Sequence, residues 1–111
     1  MKRDYKLYID DIRESIIQIE KYLKGVSEKS FNNDQLAQDA VIRRLEVIGE
    51  ATKNIPRALK EKNKHVPWSH MSQFRDLIAH SYFQVSTATI WKTIKERIPI
   101  IKDKMKKIAL V

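Results

Sequence analysis

Arg75, His80 and Tyr82 fall within a run of eight residues, and together they offer a permanent cation, a proton-transfer group and a phenol. That combination suits a phosphodiester. Cutting RNA without a metal has the ribose 2′-hydroxyl attack the neighbouring phosphate, which calls for a base, an acid for the leaving oxygen and positive charge on the crowded phosphorane. Histidine fits both proton roles because its ordinary pKa, about 6.5, lies near working pH. Arginine is no base, but its planar fork of donors can hold two phosphate oxygens while charge builds.

One motif histidine per chain has two jobs to fill, and a symmetric dimer would bring two copies of His80 and Arg75 to one cleft. Helix geometry points the same way. Five residues at about 100° each leave positions 75 and 80 far apart around a helix axis, so the helix must end between them or a second chain must complete the site. Tyr82 could stack on a base, donate to a phosphate, accept a modification or simply cover the helix end. Asp76 could fix the arginine or the imidazole, or stand as an exposed acid. An Arg-x4-His pair alone recurs by chance in helical proteins, so the rest of the chain must carry the argument.

Other chemistries find less support. There is no cysteine, and His65, His70 and His80 lack the i, i+4 spacing of a helical zinc site, so no metal site is expected. No glycine-rich phosphate loop appears either, which speaks against a nucleotide triphosphatase, and no cofactor is implied.

The elements that must hold these groups are helical. Tyr5, Ile9, Ile12, Ile16, Ile19 and Leu23 form one apolar seam, which Gly25 ends. Asn32, Asn33 and Asp34 supply N-cap candidates for a second helix with a seam through Ala37, Val41, Leu45, Ile48, Thr52 and Ile55, stopped by Pro56. The first two helices should form an antiparallel hairpin. Gly49 inside the second costs about 1 kcal/mol relative to alanine, for which close approach of a neighbouring helix would compensate.

Arg57 to Lys64 reads as a basic helical turn, and Trp68 as a plug at the end of the core. A third helix starting near Ser69 would bury Met71, Phe74, Leu77 and Ile78 and end close to His80. Ser86 or Thr87 can cap a fourth, with Ile90, Trp91, Ile94, Ile98, Ile101, Met105 and Ile108 inward and a kink at Pro99. The expected architecture is an all-α, antiparallel four-helix bundle with a short extra turn, in a single domain over 1–111.

With 111 residues there is room for one core and one site. Lysine and arginine number 22 against 14 acids, a formal net charge of +8, which favours polyanionic partners through counterion release. The lysines at 102, 104, 106 and 107 read as a solvated helix face. No apolar run long enough for a signal peptide or membrane span is present, and the composition fits a soluble protein of the reducing cytoplasm.

Three blocks in order resemble the HepT-like branch of the HEPN superfamily: residues 40–51, the stretch from Pro67-Trp68 through Phe74 to Phe83, and Ile90-Trp91 with Pro99 downstream. The resemblance implies a dimerising helical bundle that acts as the metal-independent endoribonuclease toxin of a type VII toxin–antitoxin pair. It implies Arg75 and His80 as catalytic residues and Asp76 as the polar residue after the arginine, where relatives often carry asparagine. It also implies RNA as substrate and a nucleotidyltransferase antitoxin as partner, which would attach AMP to Tyr82 and block the cleft with charge and an adenine. The basic composition also allows a non-catalytic module that binds RNA or a nucleotide beside a nucleotidyltransferase.

Overall fold

A computed structural model describes residues 4–81 and 86–108, with positions 80 and 81 described by their backbone alone. The described residues contain six helices and no strand: α1 (Tyr5–Leu23), α2 (Glu28–Asn32), α3 (Gln35–Lys53), α4 (Arg57–Lys62), α5 (Trp68–Ser81) and α6 (Thr87–Met105). The four long elements are those the apolar periods predict, and α4 is the expected extra turn.

Three of the four long helices, α1, α3 and α6, begin where the sequence offers a cap. The side chains of Asp4, Asp34 and Ser86 accept from backbone N–H groups in the first turns of α1, α3 and α6, satisfying donors that a helix start leaves open. Gly25, at φ +73°, takes the left-handed conformation just past α1, which a Cβ would disfavour. Pro99 sits inside α6, and the helix runs on through it to Met105.

The seams meet in one core. Ile9, Ile12, Ile16 and Ile19 of α1 pack with Val41, Leu45 and Ile48 of α3, with Met71, Phe74 and Ile78 of α5, and with the isoleucines of α6. Tyr8 and Asp11 near the start of α1 share a groove with Glu50 and Ala51 near the end of α3, so these two helices run antiparallel as expected. Leu77 departs from expectation: it is half-buried, because α5 turns that side away from the core. Trp91 is also half-buried, its ring centroid 5.3 Å from that of Phe31.

The added element is α2, a single turn between α1 and α3, capped by Ser27 and anchored by the fully buried Phe31. Gln38 locks it to α3 by donating to the carbonyls of Phe31 and Asn32. Of the three expected caps for α3, Asn32 and Asn33 thus end α2 and Asp34 alone starts α3.

Trp68 closes the other end of the core. Its indole N–H donates to the carbonyl of Asn63 at 3.0 Å, and the buried Asn63 amide donates to the carbonyl of Leu59. This chain of bonds fixes where α5 starts, and so the height at which the motif lies.

Candidate functional site

The motif is positioned by the packing of α5 on α3, and the contact centres on Gly49. A Cβ placed there would lie 2.7 Å from the backbone nitrogen of Arg75 and 3.0 Å from its Cβ. The glycine in mid-helix is therefore the close approach that the sequence implies, and the residue it admits is the motif arginine.

The next residue completes the arrangement. Glu50 Oε2 lies 3.0 Å from an Arg75 terminal nitrogen, and both side chains are about half exposed, at 54% and 52%. An ion pair so wet contributes little to stability. Its effect is geometric: one arm of the planar fork is held, which fixes the direction of the guanidinium.

Asp76 has a different neighbour, Lys53, one turn beyond Glu50 on α3, at 3.8 Å. Among the described residues Asp76 does not hold the motif arginine. That place is taken by Glu50, which the motif spacing did not reveal; the signal was its position beside Gly49.

Arg75 and Glu50 stand on the wall of an open groove of about 610 Å³ between α1, α3 and α5. Tyr8 and Asp11 come from α1, Arg43 and Glu46 from α3, and Ile78 and Ala79 form an apolar strip on α5. Arg43 pairs with Glu46 at 2.6 Å one turn earlier on α3. The groove thus carries two guanidinium groups, each paired with a carboxylate, and a third acid, Asp11, beside a partly apolar wall.

The helix does not end between Arg75 and His80, since α5 continues to Ser81. The two positions are therefore about 140° apart around one axis. The His80 side chain and all of Tyr82 lie outside the described residues, so their contacts are not among those placed here. His65 and His70 are occupied elsewhere: His65 Nε2 donates to the Lys104 carbonyl at 3.2 Å, and His70 Nδ1 accepts from Arg97 at 3.0 Å. Among the described residues no three His, Cys, Asp or Glu side chains are grouped as metal ligands, and no helix is long and apolar enough to cross a membrane.

Comparison with known proteins adds the lineage. The family described as ribonuclease HepT-like matches residues 12–108. The chain belongs to this family. It is 44% identical over 108 residues to a Thermococcus cleftensis protein named "probable ribonuclease HepT", covering 97% of this chain and 98% of that one. A Methanocaldococcus jannaschii protein named "gamma-glutamylcyclotransferase and putative RNase" is 43% identical over 108 residues, 97% of this chain but 49% of the relative, so the HepT-like chain spans about half of that longer protein. No solved structure matches.

Proposed function

We propose that this HepT-like chain is a metal-independent endoribonuclease, the toxin of a toxin–antitoxin pair, whose active site is completed across a homodimer and silenced by adenylylation of Tyr82. The observation that carries the reading is the seating of Arg75. Its backbone is pressed against Gly49, its guanidinium is held by Glu50, and its free donors face a groove large enough for a nucleotide. The relatives named as ribonucleases support the nuclease part of that reading.

In this mechanism Arg75 binds the non-bridging oxygens and takes up the charge of the phosphorane. One His80 accepts the proton of the 2′-hydroxyl and the other protonates the 5′-oxygen, leaving a 2′,3′-cyclic phosphate. A continuous α5 supports the need for two chains, because one helix presents positions 75 and 80 to different sides. A nucleotidyltransferase partner would add AMP to Tyr82, placing negative charge where RNA must enter.

The test is incubation of the purified protein with RNA in excess chelator. Fragments ending in 2′,3′-cyclic phosphate are expected from the native chain and none from His80→Ala. The net charge of +8 favours a second reading equally well, a module that binds RNA without cutting it. Salt-sensitive retention of intact RNA by the native chain would establish that alternative and reject the nuclease.

A further inference from the structure

The basic stretch that includes α4 takes no part in the site above, yet it builds a second one. Arg57 and Lys60 of α4 and Lys64 in the turn just past its end line an open cleft of about 510 Å³ together with Ser69 and His70 at the start of α5. Glu61 is the one acid among the lining residues, and Arg57 holds it at 3.1 Å. Lys60 and Lys64 have no ion-pair partner among the described residues. His70 accepts from Arg97 through Nδ1, which brings another cation to the edge and leaves Nε2–H as a donor. Partial burial also lowers the pKa of Lys60, a sign that its ammonium is short of water, a deficit that phosphate oxygens would relieve.

The cleft and the motif lie at opposite ends of the same helix. Ser69 and position 80 are eleven residues apart, which returns them to one side of α5 about 16 Å apart. Gln73 and Asp76 lie along that strip and are exposed, and Lys53 offsets the carboxylate of Asp76. A stacked strand advancing about 3.4 Å per nucleotide would cover the distance in about five nucleotides.

We propose that the Arg57–Lys60–Lys64 cleft grips the phosphate backbone of the RNA strand, about five nucleotides from the bond cut at the motif. The inference rests on the ribonuclease reading for its substrate. Phosphate contacts of this kind fix register without reading sequence, so the cleft would set affinity and strand direction, not base preference.

The test measures binding of single-stranded RNA of about twelve nucleotides, and of about three nucleotides, too few to span the strip, across a range of salt. His80→Ala serves as the parent so that nothing is cut. Adding Lys60→Gln and Lys64→Gln should lower the slope of log affinity against log salt by about 1.4 for the longer RNA, about 0.7 per lost phosphate contact. The shorter RNA should bind as before. Lys106→Gln with Lys107→Gln removes the same charge elsewhere and should leave the slope near its parent value.

An unchanged slope in the cleft variant, or an equal fall in both double variants, overturns the proposal. If the chain with His80 intact leaves RNA uncut while the cleft variant still loses slope, the cleft stands and the nuclease reading fails.

Discussion

The backbone nitrogen of Arg75 lies 2.7 Å from where an alanine methyl would sit at Gly49. Real Cβ atoms do not approach backbone so closely, and the obstructing atom belongs to a helix wedged into the core, so α5 would have to move. Gly49→Ala therefore sets a gain of about 1 kcal/mol in helix propensity against an overpacking cost of about 1–3 kcal/mol. A net loss is expected, with the thermal midpoint falling by several degrees, at about 4–8 °C per kcal/mol for a domain of this size. Thermal melts decide it, and a more stable alanine variant would mean that the helices are not in contact here.

Glu50 and Arg75 should separate stability from turnover. Their pair is half exposed, so Glu50→Gln should change stability by less than about 1 kcal/mol. With Arg75 acting as proposed, RNA cleavage should fall by about ten- to a hundredfold, because misplacing such a group by about 1 Å is enough for that. Arg75→Lys should not restore activity, since an ammonium cannot hold Glu50 and two phosphate oxygens with a planar fork. Cleavage rates beside melting curves check both, and native rates in Glu50→Gln would remove the carboxylate from the site.

Much of this geometry was legible before the fold was known, and the exceptions have physical causes. The seams of α1, α3 and α6 announced themselves because a period near 3.6 sustained over nineteen residues has few other readings. The five residues of α2 are too short to show a period, so only the Ser27 cap could have signalled it. Gly49 foretold a close approach but not its partner, because a one-dimensional pattern does not say which helix comes near. Glu50 was missed for the same reason: its role depends on a contact between residues 25 positions apart.

Lys60 gives a prediction with a definite sign. Burial lowers its pKa below the ordinary lysine value, so between the lowered value and 10.5 the unfolded chain holds more protons than the folded one. Stability contributed by this group therefore rises with pH across that window, and the full penalty for the charged form is present at neutral pH. Lys60→Gln should be at least as stable as the native chain at pH 7. Any advantage should shrink as the pH climbs through the window, and melting curves at neutral and alkaline pH would reveal a reversed order if the ammonium were instead stabilised by a partner.

Ser15 offers the sharpest test of the core itself. Its hydroxyl is fully buried on α1, and among the described residues it has no hydrogen-bond partner. A buried hydroxyl without a partner costs about 1–3 kcal/mol in desolvation, while the space left by removing one oxygen is small. Ser15→Ala also places the best helix former in mid-helix, adding a few tenths of a kcal/mol. The variant should therefore be more stable by about 1 kcal/mol, an increase in melting temperature of about 4–8 °C. A loss of stability would show that the hydroxyl is satisfied, by a bound water or by the backbone carbonyl one turn earlier, and that α1 packs differently at this point.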